Sequence, residues 1–314
     1  MPALAQGPRP APGPGPSAWD RDDWNPVPEP DDAVLPLPCR GALALRRVVT
    51  GPPRVAGRSN QREDRQVTLG GADDPLPYVG YLRSDFVAGG FFAADGQRYY
   101  LMGKYEVTVQ QYEAVMGDGS CRPTSPERAA LPVANVSWFD AVEFTRRLNK
   151  WLYGESQGAL EKVAARGAFV RLPSEVEWEF AARGGLAVSD AERGNATFVP
   201  ANGDISEYAW FAGPESAAGA LKQVGSKKGN PLKLYDILGN AEEIMLEPFR
   251  LNRVGRLHGQ FGGIVSRGGS YMTPREAMRI SLRTEFPPFE PTTKAEMRLP
   301  TFGFRILRTT TALN

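Results

Sequence analysis

The spacing of apolar residues along this chain changes several times, and each change marks an element. Gly41 to Arg46, running on into Val48 and Val49, has the alternation of a short strand. Residues 97–107 are rich in aromatic and β-branched side chains and predict a second strand. Thr108 then opens a short helix with Tyr112, Val115 and Met116 at helical spacing. The clearest helix starts at Ser137, which with Asp140 has the form of a capping box: a hydroxyl that accepts from an early amide, and a carboxylate suited to the positive helix end. Trp138, Ala141, Val142, Thr145, Leu148 and Leu152 share one face of it and predict packing on the core. A second capping box, Ser174 with Glu177, opens a helix through Trp178, Ala181 and Ala182 that Gly184 and Gly185 stop. Glu175, Glu177 and Glu179 read as carboxylates stabilising that helix's N-terminus rather than as a catalytic acid pair.

Outside these segments the chain is turn-rich. Residues 186–314 read as loops between short strands, and Arg58 to Arg65 as a polar loop. The first residues are Pro/Gly-rich and then acidic, too poor in apolar surface to order themselves. This sets a disordered segment over 1–31 and a single domain over 32–314. Ala3, Leu4 and Ala5 before Gln6 have the small-x-small form of a signal-peptide cleavage site, and read equally as an Ala/Pro-rich leader.

Composition narrows the chemistry. Lys and Arg number 37 against 36 Asp and Glu, so no electrostatic footprint for nucleic acid or an anionic membrane exists. The 34 glycines and 28 prolines favour short elements and many turns. With two cysteines, Cys39 and Cys121, and one histidine, His258, the chain cannot build a four-cysteine or Cys2His2 zinc site or a histidine-rich iron site. His258 reads as a surface or hydrogen-bonded residue. Cys39 and Cys121 suit a disulfide in an exported chain, and buried free thiols are the alternative.

A series of short motifs resembles the formylglycine-generating enzyme (sulfatase-modifying factor) family, in that family's order. They are Glu106 to Thr108, Val136 to Ala141, Arg171 to Trp178 running on to Gly185, Leu234 to Asn240, Arg267 to Ser270, and Gly303 to Arg305. The resemblance implies an α+β fold related to C-type lectins, with short strands, few helices, much irregular structure and structural calcium. Asp236 and Glu243 match side-chain calcium ligands, and Gly239 and Ala241 match positions offering backbone carbonyls. A second calcium site is expected to be remodelled, since Asn202 matches but Ser216, with Glu215 beside it, stands where an acid is needed. Thr273 and Met278 occupy the positions of the family's two catalytic cysteines, and neither forms a thiolate. The motif that carries two large aromatics in the family has Glu242 and Ile244 in their place.

The resemblance therefore implies a protein without enzyme activity. Among exported, cysteine-free members it points to accessory proteins of bacterial type VI secretion that act in the periplasm upstream of a transmembrane threonine kinase. The expected partner is the periplasmic domain of that Ser/Thr kinase, alongside other type VI secretion regulatory components, with no nucleic acid and no membrane insertion. Arg275, Arg279 and Arg283 form the candidate interaction surface, or are ordinary salt-bridging arginines. A periplasmic enzyme acting on a small molecule near Thr273, Arg275 and Met278 is the alternative, and calcium-dependent carbohydrate binding a third.

Overall fold

The computed structural model describes residues 19–51, 65–71, 82–154, 167–248 and 263–311. Ala3 to Ala5 and His258 lie outside the described residues. The elements are α1 (Arg21–Trp24), β1 (Ala33–Leu37), β2 (Gly41–Gly51), β3 (Arg65–Leu69), β4 (Arg83–Val87), β5 (Phe91–Phe92) and β6 (Arg98–Gly103). Then follow α2 (Val109–Met116), α3 (Pro126–Ala129), α4 (Trp138–Gly154), β7 (Phe169–Arg171), α5 (Glu175–Ala182) and α6 (Asp190–Arg193). The last are β8 (Glu242–Pro248), β9 (Ile264–Arg267), β10 (Arg283–Phe286), β11 (Phe302–Gly303) and β12 (Leu307–Thr309).

One sheet runs β1-β2-β6-β12-β7 with β5 on β6, a second runs β10-β9-β8-β11, and β3 with β4 forms a separate ribbon. This is the α+β architecture with short strands and few helices that the motifs imply. The larger apolar cluster joins Leu35, Leu45 and Leu101 of the first sheet to Phe144 and Leu148 of α4 and to Ile244 and Phe302 of the second. The other cluster packs Trp178 and Phe180 of α5 against Val48, Tyr100 and Met102 from the first sheet and Met245 and Val265 from the second. Both sheets thus share two cores, and α4 and α5 are the wedges between them.

The helix boundaries follow their caps. Ser137 Oγ accepts the Asp140 amide at 3.0 Å while Asp140 accepts the Ser137 amide at 2.9 Å. Ser174 and Glu177 make the same reciprocal pair ahead of α5, and Gly184 at φ 92° ends that helix in the left-handed region.

Every residue of α5 is buried, which changes the reading of its three glutamates. They are not solvated first-turn charges: each is paired with arginine inside the protein. Glu177 accepts both terminal nitrogens of Arg171 at 2.7 Å. Glu175 accepts from Arg283 at 2.8 and 2.6 Å and from Arg267 at 3.0 Å. Glu179 accepts from Arg183 at 2.8 Å and from Arg267. Burial pushes the Glu177 and Glu179 carboxyls up, but the arginines outweigh it and hold both below the ordinary value.

Residues 19–31, expected to belong to a disordered segment over 1–31, have a described structure. Within them Trp24 and Asn25 are packed, at 8% and 1% exposed. Their anchor is Lys104, whose buried ammonium donates to Asp32 at 2.6 Å, to Asn25 at 3.2 Å and to the Val27 carbonyl. A buried ammonium needs such acceptors, and this segment supplies two of the three, with Asp32 just beyond it. Arg58 to Arg65 also ends differently from its expected loop, because Arg65 opens the β3–β4 ribbon.

Cys39 and Cys121 are joined in a disulfide with a Cα–Cα distance of 5.3 Å. It staples the turn after β1 to the loop after α2, across a sequence separation of 82 residues. Replacing both cysteines by serine should lower the unfolding free energy by ~3–5 kcal/mol on the chain-entropy estimate. Denaturant melts of the variant and of the reduced wild type should then coincide.

Glu247 makes a second, pH-dependent prediction. Its Oε1 accepts the Glu175 amide at 2.6 Å, and burial, reinforced by the Glu175 charge, raises its pKa from 4.5 to about 7. The folded state therefore keeps the proton that the unfolded chain releases near pH 4.5, so this stabilising contribution is lost as pH rises from about 4.5 through about 7. Glu247→Gln should remove that part of the decline, of order 3 kcal/mol, in urea melts compared across this window.

Candidate functional site

The expected calcium loop is a buried polar knot between the two sheets. Asp236 and Asn240 sit at φ 57° and 60°, and Gly239 at φ 85°, so three left-handed residues turn the chain tightly. A Cβ at Gly239 would meet the Trp210 carbonyl oxygen at 1.8 Å, which makes glycine obligatory there. The turn carries Asp236 and Glu243 towards Arg305, whose side chain is fully buried. Arg305 forks onto Glu243 with two bonds of 2.5 Å and donates to the carbonyls of Tyr235 and Gly103, each at 2.9 Å. Trp178 Nε1 adds a bond of 2.7 Å to Glu243.

Glu106, arriving from the end of β6, completes the knot. It accepts the Asn240 side-chain amide and the Ala241 backbone amide, both at 2.8 Å. Of three buried carboxylates, Glu243 is bonded to the Arg305 guanidinium, while Glu106 and Asp236 act on it through space. Burial, opposed by the Gly225 amide bond and Arg305, raises Asp236 to about 6. Burial and then the Asp236 and Glu243 charges push Glu106 well above its ordinary value.

One acceptor in the knot is uncommitted. Asp236 Oδ2 accepts the Gly225 amide at 2.7 Å, but Oδ1 has no hydrogen-bond partner among the described residues. A buried carboxylate oxygen left in that state, with an excess of negative charge around it, suits a cation or a water. Glu243 is already shared with Arg305, and no group of three or more His, Cys, Asp or Glu side chains converges as a metal site among the described residues. In the second expected loop Asn202 is exposed, while Ser216 is buried and its hydroxyl accepts the Phe211 amide at 3.0 Å.

The segment expected to hold a degenerate active site divides between surface and core. Thr273 is half-buried, and its hydroxyl accepts the Ser270 amide at 2.9 Å, closing the turn after β9. Met278 is 5% exposed and belongs to the α5 core cluster. Ile244 is fully buried, and Glu242 accepts the Ser266 hydroxyl.

The three arginines do not make one surface. Arg275 is exposed, lies 5.6 Å over the Phe211 ring and pairs with Asp204 at 2.8 Å. Arg279 is half-buried. Arg283 is 4% exposed and committed to Glu175, so it presents nothing to a partner. Its position at the start of β10 puts its side chain on the face that meets α5, a placement set by tertiary packing. Sequence reasoning also missed the roles of Glu106 and Arg305. Both stand in the quoted motifs, but only their convergence across the sheets reveals them.

Three comparisons bear on this geometry. The profile of the "Sulfatase-modifying factor enzyme 1-like domain" family matches residues 93–310. A curated relative, "Chaperone protein LppX" of Paenibacillus barcinonensis, is 30% identical in an alignment of 186 positions that covers 46% of this chain and 60% of the relative. The match thus spans less than two thirds of that protein's length. Among solved structures, Treponema denticola variable protein 1 superposes with a TM-score of 0.62 at 22% identity, over 90% of this chain and all of that one. PvdO from Pseudomonas aeruginosa gives 0.57 at 17%, over 88% and 98% of the two chains. Both likenesses bear on the fold alone.

The split between Thr273 and Met278 is checked by thiol labelling. In the native disulfide-bonded protein, Cys introduced as Thr273→Cys should react with an aromatic disulfide reagent. Cys introduced as Met278→Cys should react at least about a hundredfold more slowly, because its exposure requires local opening.

Proposed function

Since the chain belongs to the sulfatase-modifying factor enzyme 1-like domain family, we propose that it is a non-catalytic, periplasmic binding protein of the TagR type. In this reading it binds the periplasmic domain of a transmembrane threonine kinase that controls type VI secretion, and it favours the kinase's active state. The single observation that carries the reading is the fate of the two positions where catalytic thiols are expected. Thr273 uses its hydroxyl to close a turn and Met278 fills the core, so neither supplies a thiolate. The chain's two cysteines are joined to one another elsewhere.

Other observations support parts of it. A disulfide suits an oxidising compartment outside the cytosol. The curated relative is named a chaperone protein, which fits a binding role. Arg275 is the member of the expected surface that remains available to a partner. Structural calcium belongs to the same reading: Asp236 would hold it through its free Oδ1, with the carbonyls of Gly239 and Ala241 and a share of Glu243. The ion would neutralise the surplus carboxylate charge and stiffen the knot.

Activation requires tighter binding to the kinase's active state than to its inactive one. Calorimetric titration against the periplasmic kinase domain, with phosphorylation read in membranes, tests this directly. Saturable binding with increased threonine phosphorylation is expected, and Arg275→Glu should weaken it by about tenfold as a rim charge would. Chelation should lower the melting temperature and added calcium restore it, with no such response in Asp236→Ala. Absence of binding with and without calcium would sink the kinase role and bring forward a small-molecule activity.

A further inference from the structure

A cavity of about 480 Å³ lies between the β3–β4 ribbon and helices α5 and α6. Among the described residues three arginines line it, Arg65, Arg183 and Arg193, against one acid, Asp190. Arg183 is the fixed part of the wall. Its guanidinium donates to Glu179 at 2.8 Å, to the Arg193 and Asn195 carbonyls at 2.7 and 2.9 Å, and to the Gly70 carbonyl at 2.7 Å. It therefore clamps the exit of β3 to the end of α6 and holds the two sides of the cavity apart.

The other two arginines are differently placed. Arg193 donates to the Val188 carbonyl at 2.8 Å, to the Gly185 carbonyl and to Asp190, whose side chain is 93% exposed. Among the described residues Arg65 makes one hydrogen bond, from Nε to the Thr50 carbonyl at 2.9 Å, which leaves its terminal nitrogens to the cavity. Burial, and then the Arg65 charge, hold Arg193 below its ordinary value, so the two guanidiniums repel one another across this space. Leu82, 53% exposed, and the Phe180 ring supply apolar wall beside them.

Two guanidiniums repel one another across this space, one with an uncommitted fork and the other paired only with an acid that is itself largely in solvent; among the described residues the lining offers no second acid. Guanidinium forks match the planar oxygens of carboxylates and phosphates. We propose that this cavity binds a small oxyanion with a short hydrocarbon body, its charged head on Arg65 and Arg193 and its apolar part along Leu82. The volume is in the range of roughly 300–1,000 Å³ that small-ligand sites occupy. The site shares no residue with the Thr273–Met278 segment and stands independently of the kinase reading.

The full-length, disulfide-bonded protein titrated with hexanoate, hexyl phosphate and hexanol decides the matter. Saturable one-to-one binding of at least one anion is expected, with hexanol at least about tenfold weaker. Arg65→Met should reduce anion affinity by at least about tenfold and leave the melting temperature unchanged, because that side chain makes a single hydrogen bond; Arg65→Lys should recover part of the loss. Binding of hexanoate alone identifies a carboxylate ligand, and of hexyl phosphate alone a phosphate ester. Equal binding of hexanol, binding indifferent to Arg65→Met, or no anion binding would overturn the proposal.

Discussion

Buried pairing of carboxylate with guanidinium is the constraint on which this molecule depends. Helix α5 is only eight residues long and wholly enclosed, yet it brings three glutamates into the core. Their partners come from β7 (Arg171), from α5's own C-cap (Arg183), from the end of β9 (Arg267) and from β10 (Arg283). Such pairs add little net stability once desolvation is counted, but leaving one member alone costs about 3–5 kcal/mol. Their effect is thus on placement: a shift of α5 by one residue, or a slip of β10 against β9, would leave ionised groups unpaired. The strands that carry Arg171, Arg267 and Arg283 have only three or four residues, and there that penalty supplies register where strand pairing is too short to do so.

The same logic ties down the N-terminal segment. Lys104 leaves β6 into the interior, and its acceptors are on residues 25, 27 and 32. Arg46 of β2 reaches the same segment through Asp31 and Asp32. The disulfide closes the other end of this strap at Cys39. What composition presents as a solvated acidic tail is, from residue 19 onward, the counter-charge for two basic groups of the first sheet.

Local signals in the chain were legible because their physics is local. The capping boxes at Ser137 and Ser174 need only residues three apart, and both form as the spacing predicts. The apolar face of α4 is likewise a property of one helix, and Ala141, Leu148 and Leu152 are buried as their spacing requires. The pairing of Cys39 with Cys121 follows from there being two cysteines to pair. What escaped is non-local. Arg283 looks like a surface arginine until Glu175, more than a hundred residues earlier, is placed against it. Glu175 itself reads as a helix-end charge, a role its sequence position satisfies equally well, because burial is not encoded within the helix. The ribbon strand Arg65–Leu69 alternates as a strand should, but next to polar residues its five positions are too few to separate it from a loop.

The loop expected to hold calcium shows how far family motif and local charge can diverge. Asp236 and Glu243 are brought within electrostatic reach of one another by a turn that glycine alone permits at 239. Arg305 has a fixed charge and satisfies Glu243, while Glu106 and Asp236 remain in excess within a dry interior. Such a knot has two ways to reach neutrality: it keeps protons on its acids, or it admits a cation at the unpartnered oxygen of Asp236. The first makes the core sensitive to pH and the second makes it sensitive to calcium. Because Glu243 also accepts from Trp178 of α5, either choice is felt by the helix whose glutamates set the position of both sheets.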